Sequence, residues 1–163
     1  HATQAMAIKV VNAGGISAFK FNQRKLDVDD LHPHYRISPR QIIATPNAAK
    51  PPATYSQAVK AAGLVFVSGT APHDPATGAI RGTTIQEQTR QCLTNISAIL
   101  AAAGSSLSSI VSATVILADD ADFAGMNKEW SRWFPTDPPA RQGAKLPVRI
   151  PGLRVSIAAI AEA

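Results

Sequence analysis

The order of apolar patterns along this 163-residue chain predicts an α+β fold, with two helices packed on one face of a mixed β-sheet. Three observations carry the prediction. A short apolar run, Leu64 to Ser68, has the length and flanks of a buried strand and is followed by apolar residues at helical spacing from Ile85 to Ala103. An alternating segment, Ile110 to Leu117, leads into a second helical stripe formed by Phe123, Met126, Trp130 and Trp133 or Phe134. Two more strand-like segments, Arg141 to Leu146 and Leu153 to Ala161, close the order of strands, helix, strand, helix and strands.

Each element has its own local signals. Gln41 to Ala44 reads as a first strand, the polar segment Thr45 to Thr54 as a loop, and Leu64 to Ser68 as a strand ending at Gly69. Asp74-Pro-Ala-Thr-Gly78 is turn chemistry. Thr84 followed by Glu87 forms a capping box, in which the hydroxyl accepts an orphan amide and the carboxylate reaches back to the cap amide. From there Ile85, Cys92, Leu93, Ile96, Ile99, Leu100 and Ala103 keep one face apolar until Gly104 supplies a left-handed stop. In Ile110 to Leu117 the alternation places Val111, Ala113, Val115 and Leu117 on one face. Asp120 or Asp122 starts the second helix and Pro135 ends it. In the last strand Leu153, Val155, Ile157, Ala159 and Ala161 alternate with Arg154, Ser156, Ala158 and Ile160, so neither face is uniformly polar. Such a two-sided strand favours an oligomer whose sheets pack on each other.

Composition bounds the rest. The length suits one domain with an appendage: residues 1–40, containing Gly14-Gly15 and His32-Pro33-His34, form an extension, and residues 41–163 the domain. Hydrophobic residues at 45% and charged residues at 17% describe a globular chain rather than a disordered one. No run approaches the roughly 20 apolar residues of a membrane span. One cysteine makes no internal disulfide, and Cys92 falls on the apolar side of its helix, where it reads as core. The Asn95-Ile96-Ser97 sequon lies on that same helix and reads as chance. His32 and His34, split by a proline and without a nearby cysteine or carboxylate cluster, make a poor metal pair, so neither metal nor organic cofactor is expected. Met6 reads as the native start behind a tag remnant, with a processed organelle-targeting segment as the competing reading; the expected compartment is cytoplasmic, with mitochondria as the alternative. The net charge of +5 is scattered and lacks aromatic residues interleaved with basic ones, which argues against nucleic acid as partner.

Arg141 is the residue with the sharpest chemistry. It sits between the turn at Pro139 and an apolar strand, placed to hold a small carboxylate through two parallel, charge-assisted hydrogen bonds. The bland alternative is an arginine that bridges strands or pairs with an acid of a neighbouring subunit.

Around Arg141 runs an ordered series of motifs: Tyr55-Ser-Gln-Ala-Val59, Val65-Phe-Val-Ser-Gly69, Asp74-Pro75 with Thr77-Gly78, Gln88-Thr89, Asn95, Ala103-Gly104, Asp122-Phe123, Met126-Asn127, Pro139-Ala-Arg141, Leu146-Pro147 and Ile157-Ala-Ala-Ile-Ala161. Over about residues 41 to 162 the series resembles the YjgF/Rid family of reactive-intermediate deaminases. The resemblance implies a chorismate-mutase-like fold, a homotrimer with sites in clefts between subunits, and hydrolysis of 2-imino acids and their parent enamines to 2-oxo acids and ammonia. It implies Arg141 as the carboxylate clamp, Tyr55 as a cleft wall touching substrate or water, and Ser68, Gly69 and Asn127 as substrate neighbours. This sequence departs from the family pattern at Ala53-Thr54, where Gly-Pro is common, at Thr70, where glutamine is usual, and at Gly143, where many members carry cysteine. The stretch from Arg141 to Leu146-Pro147 is also shorter. Ser156 stands where the imine deaminases carry a water-positioning glutamate.

Beside these residues the plain structural readings stay open. Tyr55 also fits as an amphipathic plug, Gly69 as a turn glycine and Asn127 as a partner for a helix neighbour. Ser156 has no histidine and acid to activate it, which excludes a triad, and His73 in its proline turn reads as solvent-facing. Three functional readings follow. The first is an imine or enamine deaminase; the second, a diverged member that binds a carboxylate metabolite or hydrolyses another C–N bond; the third, a ribonuclease or translation inhibitor, labels the family has also carried.

Overall fold

A computed structural model describes residues 39–147 and 149–163, so the expected extension, with Met6, His32 and His34, lies outside the described residues apart from Pro39 and Arg40. Six strands make one sheet: β1 (Gln41–Ile43), β2 (Ala58–Ala61), β3 (Leu64–Thr70), β4 (Ile110–Leu117), β5 (Ala140–Lys145) and β6 (Val155–Glu162). Their spatial order is β1-β2-β3-β6-β4-β5. Only the β4–β5 pair is parallel; the others are antiparallel. Helices α1 (Ile85–Ala102) and α2 (Phe123–Trp133) pack over one face, and α2 is the crossover that a parallel β4–β5 pair requires. The expected α+β architecture with a mixed sheet is what forms.

The pleat divides the side chains into two sets. Val65, Val67, Ala113, Val115, Leu117, Val155, Ile157, Ala159 and Ala161 are buried beneath the helices with Leu93, Ile96, Ile99, Leu100, Met126 and Trp130. On the far face the pairings Ile42–Val59, Val59–Phe66 and Phe66–Ile160 draw an apolar row across four strands, and Ile42 and Phe66 on that row are exposed.

Helix α1 follows its sequence signals closely. The Thr84 hydroxyl accepts the Glu87 amide at 3.2 Å, and Glu87 accepts the amides of Thr83 and Thr84 at 2.9 and 3.0 Å. Those backbone hydrogen bonds hold the exposed Glu87 carboxyl below its ordinary pKa. Gly104 takes φ +77°, and the Lys60 ammonium donates to the Ala103 carbonyl at 3.0 Å, a cation on the negative end of the helix. Cys92 and Asn95 are fully buried; burial raises the thiol pKa far above its usual value, so Cys92 is an inert core residue.

Buried polar side chains tie the loops to this core. Asn95 donates to the carbonyls of Ala71 and His73 at 3.2 and 2.9 Å, and Gln88 donates to those of Gly82 and Gly152 at 3.0 and 2.7 Å. Between the helices Arg90 grips the buried Glu129 with two hydrogen bonds of 2.9 and 3.1 Å. Hydrogen bonding to Arg90, helped by the Trp133 indole, outweighs burial and holds the Glu129 pKa below its ordinary value. A Cβ on Gly125 of α2 would lie 2.5 Å from Ile85 Cγ2, so only glycine lets the two helices approach this closely.

Three local expectations need correction. Val111 is exposed rather than in the core, because a register shift between Ile110 and Ser112 turns Ile110 inward in its place. Phe123 is half-exposed at the start of α2 rather than part of its buried stripe. Strand β2 forms in a segment not read as a strand, paired with β3 through the two-residue turn Ala62-Gly63.

Both turn residues have positive φ, +52° for Ala62 and +76° for Gly63, the type I′ geometry that matches hairpin twist. Alanine is strained there, whereas asparagine tolerates the left-handed region. The variant Ala62→Asn is expected to stabilise the fold by about 0.5–1 kcal/mol, read as a higher urea midpoint at unchanged slope; a lower midpoint would contradict the turn assignment.

Candidate functional site

Strand β5 places Arg141. Its parallel register sets Arg141 beside Ala113, Gly143 beside Val115 and Lys145 beside Leu117. Those β4 partners are buried under the helices, so Arg141, Gly143 and Lys145 occupy the helix-side row of the edge strand. Arg141 Nη2 donates to Asn127 Oδ1 at 2.6 Å, Nη1 lies 3.7 Å from Met126 Sδ, and the guanidinium carbon sits 5.0 Å from the Trp130 ring centroid. One turn of α2 therefore orients the head group by a hydrogen bond and by cation–π contact.

No acidic group pairs with Arg141 among the described residues. Partial desolvation lowers its pKa from the ordinary value, yet a guanidinium stays charged at neutral pH. The head group is thus an exposed cation oriented by neutral neighbours and free to pair with an anion. It opens onto a cleft of about 540 Å³ lined by Asp120, Phe123, Met126, Arg141, Gly143 and Lys145 among others. The exposed Phe123 is explained by that cleft, of which it forms a wall.

A second cleft, of about 310 Å³, lies at the end of β3. Tyr55, Ser68, Gly69, Thr70 and His73 line it. Its scaffold is Gln57, which accepts the Thr45 amide at 2.7 Å and donates to the carbonyls of Thr45, Ala48 and Ala49 at 3.1, 3.2 and 3.0 Å. The Ser68 hydroxyl donates to the Ser56 carbonyl at 2.7 Å, fixing the segment that carries Tyr55. The β3 ladder shifts register between Val67 and Thr70, at Ser68 and Gly69. A Cβ on Gly69 would come within 3.3 Å of Ser156 Oγ, so Ser156 closes against that glycine backbone. His73 is partly exposed, with Nδ1 2.8 Å from the Gly78 carbonyl, so it braces the turn.

The predicted site residues therefore form two groups within one chain. Arg141 and Asn127 meet on the helix side of the β5 edge; Tyr55, Ser68, Gly69 and Ser156 gather around the end of β3. Strands β6 and β4 separate β3 from β5 by about 14 Å across the sheet, and Ser156 lies on β6, two strands from β5. Ser156 pairs with Ile116, and Arg141 with Ala113, which puts their side chains on opposite faces. Sequence reasoning missed Lys145; the signal was the alternation Arg141, Gly143, Lys145 on a predicted strand. It also missed the scaffold role of Gln57. Among the described residues no cluster of three or more His, Cys, Asp or Glu is arranged to hold a metal ion.

This sheet, its helices and the cleft beside Arg141 define an α+β protein of two helices on a mixed sheet. A family model described as Endoribonuclease L-PSP matches residues 45–163, and the chain belongs to this family, the YjgF/Rid family. It is 43% identical over 122 residues to the RutC family protein PH0854 of Pyrococcus horikoshii, covering 75% of this chain and 97% of that protein. It is 39% identical to the 2-iminobutanoate/2-iminopropanoate deaminase of Capra hircus, covering 75% of this chain and 89% of that one. Among solved structures, Escherichia coli TdcF with bound serine superposes with a TM-score of 0.70 at 33% identity, covering 76% of this chain and 98% of that one.

Replacing Gln57 by leucine would strand the Thr45 amide and three carbonyls without partners. The expected cost is about 2–4 kcal/mol of unfolding free energy, measurable by urea denaturation. A cost near zero would show that the loop does not depend on this side chain.

Proposed function

We propose that the protein is a hydrolytic deaminase of 2-imino acids and of the enamines that precede them, with its site assembled between copies of the chain in a homotrimer. The observation that carries this reading is the Arg141 guanidinium, held at 2.6 Å by Asn127 and left without an acidic partner among the described residues. A 2-imino acid offers it a carboxylate adjacent to the reacting carbon. The deaminase name of the goat relative and the amino acid bound in the TdcF structure are consistent with such a ligand. Assembly is supported by the exposed apolar residues Ile42, Phe66 and Val111, and by the separation of the two residue groups within one chain. In a composite site Arg141 and Asn127 of one copy would face Tyr55, Ser68, Gly69 and Ser156 of the next.

The chemistry asks little of a catalyst. Arg141 clamps the carboxylate and turns C2 toward a water molecule; water adds across C=N, the nitrogen gains a proton, and ammonia leaves as the C2 carbonyl forms. No redox step or electron sink is needed, so the reaction requires neither metal nor organic cofactor. Tyr55 and Ser156 supply hydroxyls that orient water rather than deprotonate it, since neither is a good base near neutral pH. Imines hydrolyse readily in water, so positioning alone is a sufficient contribution.

Ser156, where the deaminases carry glutamate, favours one second reading: a member that binds a carboxylate metabolite, or cleaves another C–N bond, without imine turnover. Semicarbazide trapping of 2-iminopropanoate and 2-iminobutanoate generated in place separates the two. Wild type is expected to accelerate decay of the imine, and Arg141→Ala to lose at least about 100-fold in kcat/KM. Asn127→Asp is expected to fold with undiminished stability yet lose activity, because the new carboxylate would occupy the guanidinium. No acceleration by wild type would leave the second reading. Ribonuclease activity that survives Arg141→Ala and falls steeply with salt would favour nucleic acid instead.

A further inference from the structure

We infer that the Arg141 cleft is built for 2-imino and 2-oxo acids with a second carboxylate on the side chain, and that Lys145 holds that distal group. The inference rests on Arg141 as the carboxylate anchor, the part of the proposed function it deepens.

Three residues of β5 share one face in strict alternation. Arg141, Gly143 and Lys145 pair with Ala113, Val115 and Leu117, and all three line the same cleft with Asp120, Phe123 and Met126. Gly143 leaves the floor between the two cations open: a Cβ there would meet nothing closer than the Val115 carbonyl oxygen at 3.9 Å. Arg141 is held by Asn127 on α2, and Lys145 lies against Asp120 at the helix entry. Four residues of extended strand separate Arg141 from Lys145, roughly 13 Å between Cα atoms. Two charge-assisted hydrogen bonds of about 2.8 Å each, joined by a four- or five-carbon diacid, fit within that span. The reacting C2 would then lie next to Arg141, over Gly143, with the side chain running toward Lys145.

The present partner of Lys145 is no obstacle. Its ammonium lies 3.1 Å from Asp120, but the two side chains are 66% and 85% exposed, and such surface pairs are weak. With Asp120 counted, Arg141 leaves the cleft one net positive charge, which draws a dianion in and lets its second carboxylate exchange with Asp120 on Lys145. A monocarboxylate leaves the Lys145–Asp120 pair as it is. Selection is therefore expected between side chains, not between the common 2-carboxyl ends.

Calorimetry on the full chain with 2-oxobutanoate and 2-oxoglutarate, stable acids with the same carboxyl groups as the imines, reads this selection as a ratio of Kd values. Wild type is expected to bind 2-oxoglutarate about threefold more tightly. Lys145→Met should bring the ratio to about one, Lys145→Arg should keep it, and Asp120→Asn should raise it by freeing the ammonium. The opposite responses of Lys145→Met and Asp120→Asn distinguish recognition from loss of structure. A wild-type ratio of one, a ratio unchanged in Lys145→Met, tighter binding of 2-oxobutanoate, or binding of neither acid would each overturn the inference. Semicarbazide trapping run alongside keeps the two claims apart. Lys145-dependent binding without imine turnover would leave this inference standing while the deaminase reading falls, and turnover without a ratio would do the reverse.

Discussion

Strand β6 sets the parity of every side chain in the sheet. It is hydrogen-bonded to β3 on one edge and to β4 on the other, and β4 in turn carries β5 in parallel register. Because the side-chain period of a strand is two, a one-residue slip on β6 would exchange the core set Val155, Ile157, Ala159 and Ala161 for Ser156, Ala158 and Ile160. Burial of the first set beneath α1 and α2 forbids that slip. The same register fixes the functional consequence. Arg141, tied through Ala113 to the buried row, must emerge on the helix side, and Ser156, tied to Ile116, on the other. One copy therefore does not bring the two side chains together, and the composite site proposed above would take them from different copies, a consequence of hydrophobic burial rather than of any interaction at the site.

The polar residues of the motif series divide between scaffold and chemistry. Gln57, Gln88 and Asn95 are buried with their hydrogen-bonding groups occupied by backbone and, at Asn95 Oδ1, by the Gln91 amide, which leaves them nothing to offer a ligand. Glu129 is likewise saturated by Arg90 and Trp133. Arg141 is different in kind: it is oriented by a neutral amide, a thioether and an indole, none of which neutralises it. An arginine with a structural role would be expected to have found a carboxylate, as Arg154 does at 2.9 Å from Asp122. Arg141 is solvent-exposed, so its charge is tolerated without a counter-ion while its head group stays oriented for one.

Much of the fold is legible in the sequence because the strongest signals are local. The capping box at Thr84 and Glu87 and the stop at Gly104 bound α1, and the alternation in β4 and β6 needs no tertiary information. Strand β2 escaped because Ala58, Lys60 and Ala61 have little β propensity and form a strand only by pairing with β3. Val111 was misplaced because the bulge beside it is a property of two strands, invisible in the alternation of one. The site divides in the same way. Arg141 stands out by its chemical type and its turn, and Tyr55, Ser68, Gly69, Asn127 and Ser156 enter through family resemblance. Their separation into two groups depends on registers across four strands, and Lys145 becomes a neighbour of the Arg141 cleft only once β5 is paired with β4.

Whether the Arg141 guanidinium seats a substrate carboxylate in a cleft completed by a second copy is read from a crystal structure of the assembled protein with 2-oxobutanoate. Carboxylate oxygens are expected about 2.8 Å from the guanidinium nitrogens, with Tyr55 and Ser156 of an adjacent copy facing C2. A guanidinium already paired with an aspartate or glutamate of that copy, with the ligand absent or bound elsewhere, would contradict it.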